Sequence, residues 1–187
     1  MQNKFESCLI EQCAPTLAGI KVGSLFRYEA ENGENVYEII YLLDMKLKEK
    51  GVRVCILKEE PRSGLIYVFR PAMLSKLLSD KDINDFLYNS GFAGGDSLDM
   101  YINRLKQRFL SASPFPHEIG IFLGYPLHDV KGFIENKGEN FSLCGAWKVY
   151  DKKPMAEKLF KQYKKCMNIY KALFKKGADV LELTVMS

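Results

Sequence analysis

The chain has 187 residues and a mass of 21.4 kDa, a little more than the common domain size of roughly 100–150 residues. Hydrophobic residues make up 47% of it and charged residues 27%, with 12 Phe and 10 Tyr, so the composition excludes a disordered protein. The net charge of +4 is uneven, because residues 151–176 carry nine lysines against Asp151 and Glu157. The remainder is mildly acidic, which excludes a uniformly basic nucleic-acid-binding protein.

Neither a membrane span nor a secretion signal is visible in the sequence. The longest apolar runs are about five residues, whereas a spanning helix needs roughly 20. Residues 1–6 lack the basic-then-apolar layout of a secretion signal, so we expect a cytosolic location. The cysteines are five in number, far apart and without a CxxC pair, which favours free thiols over disulfides or a zinc finger.

The first elements predicted along the chain are two helices with a strand between them. A short helix is expected over 3–12. Pro15, which follows it, either stops the helix or opens another helical turn. The segment 24–28 is predicted to be a strand. A helix over 35–50 is the most regular element, since its apolar residues fall on one face, namely Val36, Ile39, Ile40, Leu43 and Leu47.

Next comes a β-hairpin followed by helices. The β-rich segments Val52–Lys58 and Leu65–Arg70 are joined by a loop that contains Pro61 and Gly64. That loop predicts an antiparallel hairpin. Three further helices are predicted over residues 72–79, 82–90 and 97–111.

The second half of the chain is predicted to hold two short helices, a long amphipathic helix and two strands. The short helices cover 116–124 and 126–136, and the long helix covers 154–176. The strands cover 141–150 and 180–185. Together these elements predict one α/β (α+β) domain over 1–187. Its expected architecture is a single mixed sheet of about five strands, including one antiparallel hairpin, covered by helices.

The first candidate site is a catalytic group of Cys13, His117 and Glu118. A thiol acts as a nucleophile only as thiolate, and a nearby imidazole or a helix start lowers its pKa. Cys13 precedes Pro15, and His117 and Glu118 open a predicted helix. In this hypothesis Cys13 is the nucleophile, His117 the base and Glu118 the carboxylate that orients it. The alternative is that Cys13 packs in the core and Glu118 suits a first helical turn.

The same imidazole could serve a metal or haem instead. His117 would then combine with Cys13, Cys144 or Cys166 to bind iron, zinc or haem. No pair of these residues has a diagnostic spacing, and Cys166 lies on the apolar side of the long helix. We therefore predict no metal site, and the sequence leaves the cofactor open.

Residues 119–134 have the pattern of a helix-turn-helix. Gly120 would let two short helices approach, Gly124 would form the turn, and Ile119, Leu123, Val130 and Phe133 would pack between them. The second helix offers DNA a single lysine beside acidic residues, which is a poor phosphate-binding surface. We expect a structural hairpin and no nucleic-acid binding.

The lysines of the long helix and the single tryptophan complete the candidates. Six of the lysines lie largely off the apolar stripe, and we expect a solvated face that could also dock an acidic protein partner; they are Lys158, Lys161, Lys164, Lys165, Lys171 and Lys175. Trp147 is expected to anchor the core. Dinucleotide, P-loop, hydrolase and zincin motifs do not occur.

Three motifs and one cysteine occur together in a recognisable order. They are CAPTLAG at 13–19, PHEIGxFLGYPxxDVKGFI at 116–134 and WKVY at 147–150, followed by Cys166. In this order they resemble a family of small bacterial proteins, found mainly in anaerobes, that is classed as a domain of unknown function. The resemblance implies no activity. It implies only a shared pattern that includes Cys13, His117, Glu118, Trp147 and Cys166.

The resulting function hypothesis is a cytosolic protein with a Cys–His site for thiol or redox chemistry on a small molecule or a partner protein. The alternative is a non-enzymatic protein, either a metal- or haem-handling accessory or a helix-turn-helix nucleic-acid-binding protein. The sequence leaves the reaction and the substrate open.

Overall fold

The structure is a computed structural model that describes residues 4–31, 33–93, 95, 97–111 and 115–186. Within these residues the helices are α1 (Lys4–Leu17), α2 (Val36–Lys48), α3 (Pro71–Leu78), α4 (Lys81–Asn89), α5 (Leu98–Leu110), α6 (Ile119–Phe122), α7 (Leu127–Glu135) and α8 (Lys153–Lys175). The strands are β1 (Gly23–Glu29), β2 (Arg53–Glu60), β3 (Ser63–Phe69), β4 (Leu143–Cys144) and β5 (Lys148–Val149). Among the described residues, none of the helices combines the length and the apolar character that a bilayer crossing requires.

The mixed α/β class is confirmed, but the single five-stranded mixed sheet is wrong. The strands form two antiparallel sheets, one of three strands in the order β1-β3-β2 and one of two strands, β4-β5. The hairpin of β2 and β3 is confirmed, with Val54 opposite Val68 and Ile56 opposite Ile66. β1 pairs with the other edge of β3.

The predicted strand over 141–150 is instead a short hairpin. The chain reverses through a turn in which the Gly145 amide donates to the Trp147 carbonyl at 3.0 Å. Only the pairs Leu143–Val149 and Cys144–Lys148 remain in the ladder. A side chain at Gly145 would place its Cβ 2.2 Å from the Phe160 ring, so only glycine fits this close approach to α8.

The predicted strand over 180–185 is also wrong, because this segment forms turns. The Glu182 amide donates to the Asp179 carboxylate at 2.8 Å, and the Asp179 amide donates to the Glu182 carboxylate at 3.0 Å. These reciprocal bonds form a capping box, which stabilises a helical turn rather than an extended strand. Thr184 donates its hydroxyl to the Val180 carbonyl at 2.7 Å.

The first helix runs through Pro15 to Leu17 instead of stopping before the proline. Proline lacks the N–H that would bond the Glu11 carbonyl four residues earlier, and Glu11 is exposed to water. The carbonyls that end the helix are bound by the buried Arg70, whose guanidinium donates to Thr16 and Leu17 at 2.6 Å. Pro15 itself is buried, so the helix keeps the proline on its packed side at the cost of one internal hydrogen bond.

The three-stranded sheet lies between two helical layers. Alternate side chains of a strand point to opposite faces, so in β3 Ile66 and Val68 join one core and Tyr67 and Phe69 join the other. The first core is completed by α1, α2 and α8, and the second by α3 to α7. A third, smaller cluster around Trp147 packs the β4-β5 hairpin on the start of α8.

The helical hairpin predicted over 116–136 is present, with a shorter first helix. Helical residues begin at Ile119, and Gly124 makes the turn with φ of 78°. A Cβ on Gly120 would lie 2.8 Å from the Val130 side chain, so the glycine allows α6 and α7 to approach. This hairpin forms one wall of the cavity described next.

Candidate functional site

A cavity of about 330 Å³ lies between β1, the α6–α7 hairpin and the β4-β5 hairpin. Its walls are mainly aliphatic and aromatic, and they include Leu25 of β1, Tyr125 of the α6–α7 turn and Phe133 of α7. The polar side chains in the lining include His117, Asp129 and Lys148. Such a cleft, apolar with a few polar groups, is typical of small-molecule sites.

Three aromatic rings hold one side of the cavity together. Tyr125 stacks on Trp147 with centroids 5.0 Å apart and an interplanar angle of 29°. Trp147 in turn meets the Phe160 ring of α8 edge-on, at 4.6 Å and 80°. Both arrangements are favourable for aromatic pairs, so this wall is anchored to α8.

Asp129 on α7 fixes the same wall through hydrogen bonds. One carboxylate oxygen accepts the Trp147 indole N–H at 2.7 Å. The other oxygen accepts the backbone amides of Tyr150 and Asp151 at 2.7 and 3.2 Å. Asp129 is buried, and bonds from its charged carboxylate to these donors tie the β4-β5 hairpin to α7.

Among the described residues of the lining, Lys148 is the one that carries an ammonium group. Its Nζ donates to the Gly138 carbonyl at 2.6 Å. The same atom lies 4.8 Å from the Phe141 ring centroid and 5.7 Å from that of Phe133. The ammonium is thus held by a carbonyl and two ring faces, which is a cation–π arrangement.

His117 lies at the cavity wall just before α6, as an exposed residue. Its ring centroid is 5.1 Å from that of Phe133 and 5.7 Å from that of Phe115. The imidazole is therefore placed between two rings, with access to both the cavity and water.

Cys13 lies apart from this cavity, in the first core. Its exposed fraction is 0%, and burial raises the pKa of its thiol far above the usual range. Its thiol lies beside Ser24 of β1, whereas the neighbouring Leu25 points to the opposite face and lines the cavity. The sheet thus separates Cys13 from His117, and this geometry does not support their predicted pairing.

Glu118 also departs from the role that the sequence suggested. Glu118 is 5% exposed, and its carboxylate forms an ion pair with Arg108 of α5. Glu118 is not part of the cavity lining. The carboxylate therefore joins α5 to the start of α6, and the geometry gives it no contact that orients the His117 ring.

Of the cysteines paired with His117 in the metal hypothesis, Cys144 is the one that shares its cavity. Cys144 is exposed. Cys166 is packed against the first core, and burial raises the pKa of its thiol. In the part of the chain that the structure describes, there is no group of three or more His, Cys, Asp or Glu residues placed to hold a metal ion.

Asp129 is not among the site residues predicted from the sequence. A usable signal was the single tryptophan, because a buried indole N–H needs an acceptor. The acidic side chain of a nearby amphipathic helix was the natural acceptor.

The lysine face of α8 is largely solvated. Five of the six lysines named from the sequence are exposed; they are Lys158, Lys161, Lys164, Lys165 and Lys175. Lys171 is half-buried and pairs with Glu11 of α1 at 3.1 Å. In the predicted apolar stripe, Tyr170 and Phe174 are buried in the first core with α1, whereas Tyr163 is buried in the cluster around Trp147.

A family model described as a protein of unknown function (DUF3793) matches residues 9–184. The chain belongs to this family. The match spans most of α1, the whole sheet, the cavity and α8, and it confirms the resemblance found from the sequence motifs. The description of DUF3793 names no activity. No curated protein and no solved structure matches the chain.

Proposed function

We propose that this DUF3793 protein binds a small, largely apolar molecule in the cavity between β1, the α6–α7 hairpin and the β4-β5 hairpin. The observation that carries the proposal is the cavity itself, with about 330 Å³ of space bounded mainly by aliphatic and aromatic side chains. Small-molecule sites usually measure roughly 300–1,000 Å³. The volume suits a ligand at the small end of that class.

The rigidity of the walls supports the same proposal. Trp147 is held by Asp129 at 2.7 Å and stacked on Tyr125. A wall that is ordered before binding loses little conformational freedom when the ligand enters. A flat aromatic or short aliphatic body would therefore bind without reorganisation of this side of the cavity.

The test uses naphthalene-2-carboxamide, a flat neutral probe, in isothermal titration calorimetry. Leu25→Phe places extra volume in the cavity, so we expect it to weaken binding by about tenfold or more. Leu42→Phe is the matched control, because Leu42 is exposed on α2, which packs on the opposite face of the sheet. Absence of binding to the wild-type protein, or equal binding to both variants, would contradict the proposal.

A second candidate function is thiol chemistry on the bound molecule, which Cys144 and His117 favour because both line the cavity. His117 would accept the thiol proton, the sulfur would add to the β-carbon of an activated alkene in the ligand, and the resulting carbanion would take the proton back from His117. The nucleophile of the sequence hypothesis would then be Cys144 instead of Cys13.

Iodoacetamide, followed by peptide mass spectrometry, tests this second candidate. We expect Cys144 to react several-fold faster in the wild-type protein than in His117→Gln. Cys8, half-buried on α1, provides an internal reference whose rate should not change. Equal Cys144 rates in both proteins would exclude a role for His117 as the base.

The location and the protein partner complete the proposal. We keep the cytosol as the location, where the free thiols of this chain would stay reduced. We also keep an acidic protein as the partner of the α8 lysine face, on the basis of its exposed ammonium groups. Loss of binding at raised salt would be the expected signature of that contact.

A further inference from the structure

A second cavity adjoins the first one. It measures about 350 Å³, and its lining mixes apolar with charged side chains; the cations are Arg27 of β1, Lys58 of β2 and Arg108 of α5. Phe115 lines both cavities. Leu25 of the first cavity and Arg27 of the second are two residues apart on β1, so they point to the same face of the sheet.

The charges around the second cavity do not cancel. Arg27 forms an ion pair with Glu60, and the Lys58 ammonium lies 3.8 Å from the same carboxylate. One acidic group therefore serves two cations. Arg108 has its own carboxylate, the buried Glu118. These three cations and two carboxylates leave one positive charge in excess, which complements a ligand with a single negative charge.

Phe115 stands at the junction of the two cavities. Its side chain is 54% exposed, and its ring meets Phe109 edge-on with centroids 5.3 Å apart. On the other side it lies 5.7 Å from the His117 ring. An apolar body in the first cavity and a charged group in the second would therefore both contact this ring.

We propose that the two cavities form one site for an amphiphilic carboxylate. Its aromatic or aliphatic body occupies the apolar cavity, and its carboxylate lies between Arg27, Lys58 and Arg108. Arginine and lysine bind carboxylates by charge-assisted hydrogen bonds, and a carboxylate carries the single charge that the site lacks. A phosphate monoester, at about −1.5 to −2, would exceed it. This inference rests on the proposed function and names its ligand class.

The experiment compares naphthalene-2-carboxylate with naphthalene-2-carboxamide, which have the same shape and differ in charge. At low salt we expect the wild-type protein to bind the carboxylate about tenfold more tightly, since a charge-assisted bond accounts for such a factor. Lys58→Gln should reduce this preference to within about threefold, because it lowers the affinity for the carboxylate more than the affinity for the carboxamide.

Two more variants separate this effect from misfolding. Glu60→Gln removes the carboxylate that competes for Arg27 and Lys58, so we expect it to increase the preference for the carboxylate probe. Lys48→Gln is the control, because Lys48 is an exposed residue of α2 on the opposite side of the sheet, and it should keep the wild-type preference. Opposite effects of Lys58→Gln and Glu60→Gln cannot both follow from loss of fold.

Each result has a defined meaning. Equal affinity for both naphthalene probes overturns the carboxylate site and leaves the apolar cavity as the proposed function. Binding of the carboxylate that Leu25→Phe does not weaken overturns the two-cavity site, since the anion would then bind without the apolar cavity. Much tighter binding of 2-naphthyl phosphate overturns the choice of carboxylate. Binding of none of these probes overturns the proposed function as well.

Discussion

The hydrogen bond between Asp129 and Trp147 gives the sharpest prediction about the cavity wall. Asp129→Asn keeps the size of the side chain but leaves a single acceptor oxygen. If that oxygen still accepts the Tyr150 and Asp151 amides, the new NH2 group faces the Trp147 N–H, and two donors oppose each other. Trp147→Phe removes the indole donor and leaves the Asp129 oxygen without it.

The magnitudes follow from the number and type of bonds. A hydrogen bond to a charged group contributes about 1.5–3 kcal/mol, and a buried group left unsatisfied costs a similar amount. We therefore expect Asp129→Asn to lower the free energy of unfolding by about 3 kcal/mol and Trp147→Phe by about 2 kcal/mol. Because both remove the same bond, the double variant should lose about 3.5 kcal/mol, a coupling energy of about 1.5 kcal/mol.

Urea denaturation followed by far-ultraviolet circular dichroism measures all four proteins in the same way, whether or not the tryptophan is present. Leu42→Phe, on the other helical layer, serves as the control and should change stability by less than about 0.5 kcal/mol. If the losses of the two single variants simply add, Asp129 and Trp147 do not act together, and the argument that this bond holds the wall is wrong.

Two further predictions concern cations that the fold partly or wholly removes from water. Arg70→Met removes a guanidinium that also donates to the Val185 carbonyl at 2.7 Å and should cost about 3–5 kcal/mol. Arg53→Met removes a half-buried pair with Asp44 and should cost only about 1 kcal/mol in the same urea assay. Burial lowers the pKa of Lys21 from 10.5 to about 8 in the folded state. Below pH 8 the lysine is charged in both the folded and the unfolded state, and burying the charge lowers the free energy of unfolding. Above pH 10.5 it is neutral in both states, and this loss of stability disappears. Lys21→Met should therefore be more stable than the wild-type protein at pH 7, by at most about 3 kcal/mol, and this advantage should shrink as the pH rises from 8 to 10.5. A constant difference across that range would contradict the assignment.

Local periodicity was enough to predict the long helices and the central hairpin. The apolar face of α2 and the stripe of α8 repeat every three to four residues, and the helix ends carry Asn35 as a cap and Gly177 as a stop. The β2-β3 hairpin has its turn marked by Pro61. These signals are local, so they needed no knowledge of the tertiary structure.

The failed predictions were those in which an apolar pattern was short or interrupted. Residues 180–185 have β-type composition, but the capping box of Asp179 and Glu182 decides for a turn. The 141–150 segment is divided at Gly145, because the approach of α8 leaves no space there for a side chain. The capping box was visible in the sequence, whereas the close approach of α8 was not.

The sequence by itself determined which side chains this protein can use: five cysteines, one tryptophan, two histidines and an excess of lysine on one helix. Only the tertiary structure decided which of them meet. Ser24 and Leu25 are neighbours in β1, yet a strand points successive side chains to opposite faces. Cys13 therefore lies with Ser24 in one core, and His117 shares a cavity with Leu25 on the other side of the sheet.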